Sequence, residues 1–328
     1  MTFESLISPL DMGDFMRSYF RKDFCFVKGS SSKFTQLFTW ERLNEILEFQ
    51  QFGITRLNVV KKGVRVKDIE IYDYETPRFA NLPFKPILKY DSVIDELKNG
   101  SVLIVNGINQ MLPQVKELCE NVQWVLQISA HINMYMSGGN AEGFELHWDN
   151  HDVFILQIEG EKYWEVYNPT INYPLGDIFE NESKPTQQPI WEGKLRKGDM
   201  LYMPRGFWHK AKTENSESIH LTLGIHSKTG IDYADWLNTQ FIFNDVFRKD
   251  IPLINDNDGI EKYSTELKEA IIKSLEALDL KSYLSYSNMP LSNGNSNSLP
   301  ISIGVFDDNF FNNKIIKLNS TKPLNISN

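Results

Sequence analysis

The chain has 328 residues, of which 41% are hydrophobic and 12% aromatic, as expected for a globular protein with one large domain or two smaller ones. Its 43 acidic and 34 basic residues give a formal net charge of −9, which argues against nucleic acid as a direct partner. The two cysteines, Cys25 and Cys119, lie far apart, which excludes a disulfide framework and predicts reduced thiols in the cytoplasm. We see no signal-peptide pattern and no apolar run of roughly 20 residues, so no membrane partner is expected.

The first part of the chain alternates predicted helices with short strands. Helix-start signals and apolar faces predict helices that begin near residues 8–11 and cover 40–47, 91–99 and 113–122. Apolar runs predict strands at 24–27 and 101–105.

Between residues 130 and 227 the pattern changes to short strands punctuated by glycine and proline. Strands are predicted at 132–136, 153–158, 162–167 and 218–226. The segment 153–158 is apolar on both faces and is therefore expected to be buried. Gly160-Glu161 fits a two-residue type II′ turn, which predicts a hairpin that pairs Glu159 with Lys162. Many short strands of this kind favour an antiparallel barrel or a double-sheet jelly roll.

The pattern becomes helical again after Lys228. Residues 233–247 carry an apolar stripe suited to packing or to a dimer contact, and 259–280 form an amphipathic helix. A polar loop is expected at 291–299, with weak strand signals at 301–303 and 314–316.

All six histidines fall between His131 and His226, and two of them suggest a metal site. In the extended run His147-Trp148-Asp149, the first and third side chains share a face and can converge on one ion. His209 ends the run 198–209, in which glycine and proline predict two turns before the histidine. Two imidazoles and one carboxylate with open positions suit non-haem Fe(II), while manganese and zinc remain alternatives.

Lys162 is a second indication of chemistry. The predicted hairpin directs its side chain to the same side as Ile155, Gln157 and Asp149. A lysine inside a barrel needs an anionic partner, which a metal-bound dicarboxylate would supply. The alternative is a lysine that extends to solvent. Among the other histidines, we expect His151 to line the pocket entrance or to be solvated.

His131 and His226 lie near the ends of predicted strands, and we interpret both as structural residues.

The segment 131–226 resembles the JmjC/cupin-4 family of Fe(II)- and 2-oxoglutarate-dependent oxygenases, specifically its ribosomal-oxygenase (ribosomal protein hydroxylase) branch. The similarity extends over roughly residues 1–230. The motifs that carry it are Asn133-x-Tyr135, His147-x-Asp149, the run 152–164 from Asp152 to Trp164, the run 198–206 from Gly198 to Gly206, His209, and His220-Leu221-Thr222.

The resemblance implies a mainly β fold with flanking helices, built on a double-stranded β-helix (jelly-roll, cupin) core. It implies that Fe(II), 2-oxoglutarate and O2 act together. The implied iron ligands are His147, Asp149 and His209, and Lys162 would pair with the distal carboxylate of 2-oxoglutarate. The other implied cosubstrate-binding residues are Asn133, Tyr135, His220 and Thr222. Where the family usually has a small polar residue, this chain has Gly224, which implies a water or a wider pocket.

The implied organisation has three parts. Residues 1–230 would form the catalytic domain with its barrel core at about 100–228, and 231–280 a helical region that dimerises. The remaining 281–328 are too short for the complete winged-helix domain that family members commonly carry, and would be at most a remnant. The expected function is hydroxylation of a side chain of a protein or peptide, with succinate and CO2 as coproducts, by a cytoplasmic homodimer.

Three alternatives to a ribosomal-protein substrate remain open. The substrate could be a small ribosomally made peptide or a natural product. The chain could be a cupin metalloenzyme that does not use 2-oxoglutarate, or a non-catalytic cupin binding module.

Overall fold

The computed structural model describes residues 1–49, 56–75, 85–176, 183–214 and 216–287. All of them belong to one unit, Met1–Met289. Residues 290–328 lie outside the described residues. The loop predicted at 291–299 and the strands predicted at 301–303 and 314–316 therefore lie outside the described residues, as does most of the segment 281–328.

The described residues contain ten α-helices, in one group before the barrel strands and one group after them. The first group is α1 (Phe3–Ile7), α2 (Met12–Ser18), α3 (Trp40–Phe49), α4 (Asp68–Ile71), α5 (Tyr90–Lys98) and α6 (Pro113–Leu126). The second group is α7 (Gly230–Phe241), α8 (Asp245–Arg248), α9 (Asn257–Ala277) and α10 (Leu280–Ser287). No helix in the described part of the chain is both long enough and apolar enough to cross a lipid bilayer.

Side-chain caps explain several helix boundaries. α2 begins where Asp11 accepts a hydrogen bond from the backbone of Asp14 at 3.1 Å, as the sequence predicted. The apolar side chains at helical spacing that were predicted over 233–247 are instead divided between two helices, α7 and α8. Asn244 accepts a hydrogen bond from the backbone of Val246 at 3.0 Å, and this new cap starts a second helix.

Twelve strands are described, and the strands that the sequence predicted within the described residues are confirmed with one exception. The strands are β1 (Cys25–Val27), β2 (Leu57–Lys61), β3 (Val64–Arg65), β4 (Tyr72–Glu75), β5 (Lys85–Leu88), β6 (Val102–Val105), β7 (Ser129–Ser137), β8 (Asp152–Tyr167), β9 (Trp191–Arg196), β10 (Met200–Met203), β11 (Trp208–Lys212) and β12 (Ser218–His226). The exception is β8, where two strands were expected.

Ten of the twelve strands form a jelly roll of two antiparallel sheets, and β4 and β5 pair with each other in a separate two-stranded sheet. The major sheet has the order β1-β10-β8-β12-β7-β6-β2-β3. The minor sheet places β8 between β9 and β11. Isolated bridges pair Glu142 with Lys212 and His147 with His209, so the segment 142–147 follows the outer edge of β11. The mainly β fold with flanking helices is therefore as predicted.

The hairpin predicted at Gly160-Glu161 is wrong, because β8 runs without a turn for 16 residues and belongs to both sheets. Its first half pairs with β10 and β12, and its second half pairs with β9 and β11. Gly160 has φ +66°, and a Cβ there would lie 1.8 Å from the carbonyl oxygen of Glu217. The glycine allows β12 to approach β8 closely where the strand passes from one sheet to the other.

A β-bulge in the pairing of β8 with β12 changes which side chains of β8 face the space between the two sheets. Ile219 is opposite Glu159 and His220 is opposite Gln157, which leaves Ile158 without a partner on β12. The extra residue reverses the alternation, so that Ile155 before the bulge and Lys162 after it line one cavity. Lys162 is therefore on the predicted side of the strand, for a reason different from the predicted hairpin.

The core has two main layers. The outer face of the major sheet packs against the first group of helices, with Phe154 of β8 in contact with the rings of Phe3 and Phe15. Between the two sheets, Ile155 and Trp164 belong to a smaller apolar cluster. Both residues also line the cavity of the candidate site.

Candidate metal centre

His147, Asp149 and His209 meet at the open edge of the minor sheet, as the sequence predicted. Each offers a ligand atom, and the three atoms lie within 4.8 Å of one another. His209 Nε2 is 3.6 Å from Asp149 Oδ2, and the two imidazole centroids are 4.3 Å apart. The three side chains are therefore arranged as ligands of one ion.

Backbone pairing holds the two histidines together. The N–H of His147 donates to the carbonyl of His209 at 3.1 Å, and the N–H of His209 donates to the carbonyl of His147 at 2.7 Å. Asp149 is fixed through the turn before β11, because its carbonyl accepts a hydrogen bond from Gly206 N at 3.0 Å. Residues 62 positions apart in sequence are thus joined through the main chain.

The imidazole tautomers also suit a metal. His147 Nδ1 lies 2.8 Å from the carbonyl oxygen of Glu145, and His209 Nδ1 lies 3.1 Å from that of Phe207. Because a carbonyl can only accept, both Nδ1 atoms carry the proton, and both Nε2 atoms keep their lone pairs. Metal-binding histidines are usually oriented by such contacts on the second ring nitrogen.

The charges of the triad favour the ligating forms. Burial, assisted by His147, lowers the pKa of His209 to about 4, so that its imidazole is neutral at physiological pH. Burial alone would raise the pKa of Asp149, but the neighbouring His209 and His147 outweigh it and hold this pKa below its ordinary value. A neutral imidazole and an ionised carboxylate are the forms that bind metal.

A cavity of about 190 Å³ lies beside the triad. Its lining includes the triad and the predicted residues Tyr135, Lys162, His220 and Thr222. Trp164 also lines it, and Trp164 Nε1 and His220 Nδ1 are buried without a hydrogen-bond partner among the described residues. Buried polar atoms normally have partners, so these two atoms leave room for a polar ligand.

Lys162 places a buried positive charge in this cavity. Its side chain is only 3% exposed, and its ammonium donates to Ser137 Oγ at 3.0 Å. No carboxylate in the described part of the chain forms an ion pair with it. Burial lowers the pKa of Lys162 to about 8. A buried ammonium without a counter-charge is costly, so the site fits an anionic ligand.

Tyr135 and His220 form one wall of the cavity. Their rings stack at 4.9 Å with an interplanar angle of 5°, as expected for neighbours in the β7–β12 register. Burial, with a further contribution from Lys162, keeps the pKa of His220 well below its ordinary value. Burial and the nearby Asp149 raise the pKa of Tyr135 to about 12. Both rings are therefore neutral at physiological pH.

Asn133 lies on β7 two residues before Tyr135, and it does not line the cavity. It accepts a hydrogen bond from Gly107 N at 2.9 Å and also hydrogen-bonds Tyr135, where it opposes the rise in the tyrosine pKa. Asn133 is thus a support for the cavity wall in this structure.

Asp152 is a residue whose role the sequence reasoning missed, although its motif was noted. It accepts hydrogen bonds from the hydroxyl of Tyr202 at 2.8 Å and from Arg205 N at 3.0 Å. Tyr202 Oη in turn accepts a hydrogen bond from Arg21 N at 2.9 Å. This buried network holds the turn that leads to His209. The Tyr-x-Pro-Arg-Gly spacing before the histidine was the available signal.

The comparisons with known proteins agree with this geometry. The profile of the JmjC domain family matches residues 105–233, which contain the triad and the whole cavity except Val102. Residues 105–233 are a JmjC domain.

Relatives of this chain carry the name bifunctional lysine-specific demethylase and histidyl-hydroxylase NO66. The Caenorhabditis elegans protein is 32% identical over 237 residues, which cover 67% of this chain and 29% of the relative. The Aedes aegypti protein is 28% identical over 248 residues, which cover 73% of this chain and 36% of the relative. The chain thus spans only about a third of the length of these relatives.

Among solved structures, the JmjC domain and its helices resemble YcfD, a ribosomal oxygenase from Escherichia coli. The alignment has a TM-score of 0.54 and 14% identity and covers 84% of this chain and 68% of YcfD. YcfD in complex with cobalt and 2-oxoglutarate gives a TM-score of 0.53 at 14% identity, covering 84% of this chain and 69% of that one. At this identity the similarity establishes the shared fold.

Three further histidines, which the sequence reasoning treated separately, come together next to the site. His131, His151 and His226 offer ring nitrogens that lie within 4.8 Å of one another. The wider pocket expected at Gly224 is wrong, because a Cβ there would lie 2.6 Å from His131 and 2.7 Å from His151. Histidine rings fill this space.

Proposed function

We propose that this protein is an Fe(II)- and 2-oxoglutarate-dependent dioxygenase that hydroxylates a side chain of a protein or peptide. The observation that carries the proposal is the buried ammonium of Lys162, which shares one cavity with the His147, Asp149 and His209 triad. The triad accounts for a metal, and the lysine accounts for an anionic cosubstrate. A buried cation there disfavours a cupin metalloenzyme whose reactants carry no anionic group.

The donor set fits ferrous iron. Two imidazoles and one carboxylate on one side of the ion form the arrangement typical of non-haem Fe(II) oxygenases. When bound, Fe(II) and 2-oxoglutarate together supply the oxidising chemistry, in which 2-oxoglutarate and O2 are converted to succinate and CO2 while a C–H bond is hydroxylated.

The side chains of this protein would bind and orient the reactants. In our proposal, Lys162 pairs with the distal carboxylate of 2-oxoglutarate, and the flat wall of Tyr135 and His220 limits its position. Thr222 lines the cavity beside them. Ile155 and Trp164 line the cavity and belong to the adjoining apolar cluster, and we infer that they keep water away from the reacting atoms.

The names of the relatives support a macromolecular substrate. The relatives are named as histidyl-hydroxylases and lysine demethylases, and the structural neighbour YcfD is named as a ribosomal oxygenase. A groove of about 440 Å³ runs past the cavity and shares Phe144 and Ala211 with it. Its rim carries the ion pairs Lys184–Glu145 and Lys210–Glu165, both at 3.0 Å. We infer that an extended peptide occupies this groove and directs one side chain to the metal.

We also propose a cytoplasmic homodimer. Both cysteines are free thiols and buried, in agreement with a reducing compartment. The region 231–280 exposes large apolar side chains, among them Phe243, Ile251 and Ile254, which a partner surface would cover.

The test is a turnover assay of the purified protein with Fe(II), ascorbate and 2-oxoglutarate, with succinate as the readout. We expect uncoupled succinate formation that is lost in the His209→Ala variant. Incubation with ribosomal proteins and with short peptides, followed by mass spectrometry, should then reveal a substrate that gains one oxygen atom. No 2-oxoglutarate binding by the metal-loaded protein would refute the proposal and favour another cupin chemistry.

A further inference from the structure

His131, His151 and His226 form a compact cluster that the proposed oxygenase mechanism does not use. His131 lies on β7 and His226 at the end of β12, while His151 is in the loop directly before β8. Ring centroids of His226 lie 5.1 Å from His131 and 4.5 Å from His151. The rings of His131 and His151 are partly buried and that of His226 is exposed, so an ion in solution can reach the cluster.

The hydrogen bond of His151 leaves one of its nitrogens free for a ligand. His151 Nδ1 lies 3.0 Å from Asn150 Oδ1, which can only accept, so Nδ1 carries the proton. Its Nε2 therefore keeps a lone pair. This nitrogen lies 2.7 Å from the point where a Cβ of residue 224 would be, directly against the backbone of β12. A hydrogen bond to the second ring nitrogen is the usual support of a metal-binding histidine.

The other two histidines present nitrogens to each other. His226 Nε2 and His131 Nδ1 are 3.2 Å apart and share a hydrogen bond, so one of them carries a proton that a bound ion would displace. Two nitrogens at about 2.0–2.1 Å from one tetrahedral zinc ion are separated by roughly 3.3 Å, which follows from the tetrahedral angle. The observed distance therefore needs almost no adjustment to hold an ion between these two nitrogens.

We propose that His131, His151 and His226 form a second metal site, selective for a divalent transition ion of the Zn²⁺ class and separate from the His147, Asp149 and His209 triad. Three imidazoles and one open position occupied by solvent match the ligand set and the tetrahedral geometry that zinc accepts. Without a carboxylate in the set, hard ions such as Mg²⁺ and Ca²⁺ are disfavoured.

Gly224 gives the cluster its space. A side chain at this position would come within 2.6 Å of His131 and 2.7 Å of His151, and would push the rings apart.

The test counts metal ions per chain in the whole protein. The metal-free protein is titrated with Zn²⁺ alone, and bound zinc is measured by equilibrium dialysis and elemental analysis. His226→Gln removes one nitrogen of the cluster at an exposed position, where the effect on folding should be small. His209→Ala is the matched variant, because it removes one nitrogen of the triad and leaves the cluster unchanged.

We expect two equivalents for the unmodified protein, one for each single variant and none for the double variant. The affinity of the cluster, measured in the His209→Ala background, should fall at least ~100-fold when His226→Gln is added, because a direct ligand contributes more than a supporting contact. In that background, Co²⁺ should show the strong visible absorption of a tetrahedral ion.

Two results would overturn the second site. One is a His209→Ala variant that binds no zinc. The other is a second equivalent that His226→Gln leaves unchanged. Neither outcome depends on oxygenase activity, so the proposed function and the second site can fail independently. A thermal unfolding shift with Zn²⁺ in His209→Ala, absent from the double variant, gives a second measurement of the same site.

Discussion

Replacement of Lys162 by methionine tests the proposed cosubstrate site most directly. The change keeps most of the side-chain volume and removes the buried ammonium, whose polar contact in the cavity is Ser137 Oγ at 3.0 Å. Removing one partner of a buried ion pair costs about 3–5 kcal/mol, because the other charge stays buried and unpaired. At about 1.4 kcal/mol for each factor of ten, 2-oxoglutarate should bind Lys162→Met more weakly by about two to three and a half orders of magnitude.

Titration of 2-oxoglutarate into Mn²⁺-loaded protein, followed by calorimetry, measures this loss without turnover. Lys194→Met is the matched control, since Lys194 lies on the neighbouring strand β9 and pairs with Glu161 at 2.5 Å outside the cavity. The control should bind 2-oxoglutarate as the unmodified protein does. If Lys162→Met also binds it with unchanged affinity, the assignment of the distal carboxylate to Lys162 is wrong.

Four further predictions concern pH, the metal and the backbone. The affinity for 2-oxoglutarate should fall about tenfold per pH unit above pH 8, since the buried Lys162 loses its proton there in the free protein, and Lys162→Met should show no such slope. His209→Ala should weaken Mn²⁺ binding at least ~100-fold in a metal titration, and an unchanged affinity would contradict the triad. Gly160→Ala should lower the free energy of unfolding in urea by about 2–5 kcal/mol, from the left-handed φ and the contact with Glu217, whereas Gly139→Ala, at φ +60° with open space, should lose only about 1–2 kcal/mol. Asp152→Asn should cost about 1–3 kcal/mol in the same urea experiment, and no loss would show that its hydrogen bonds do not stabilise the turn before His209.

The sequence predicted the jelly roll because alternating apolar positions and turn residues are local signals. It also predicted that His147, Asp149 and His209 converge, since the spacing within each motif limits where the side chains can lie. The hairpin at Gly160-Glu161 was wrong because a glycine next to a polar residue looks the same in a turn and in a close strand contact. Only the pairing of β8 with four other strands, a non-local property, distinguishes the two.

The cluster of His131, His151 and His226 was missed for a related reason. These residues are 20 and 75 positions apart along the chain, and no motif links them. They meet because β7 and β12 are neighbours in the major sheet, with Gly224 opposite His131. Such a cluster depends on strand register, which sequence periodicity does not specify.

The main-chain pairing of His147 with His209 affects how the protein exchanges its metal. Small zinc domains form their ligand set only when the ion binds, so removing the ion unfolds them. Here two reciprocal backbone hydrogen bonds, at 3.1 and 2.7 Å, already join the two ligand-bearing segments. We therefore expect the metal-free protein to stay folded with these two segments joined, so that one ion can leave and another can bind without unfolding of the chain.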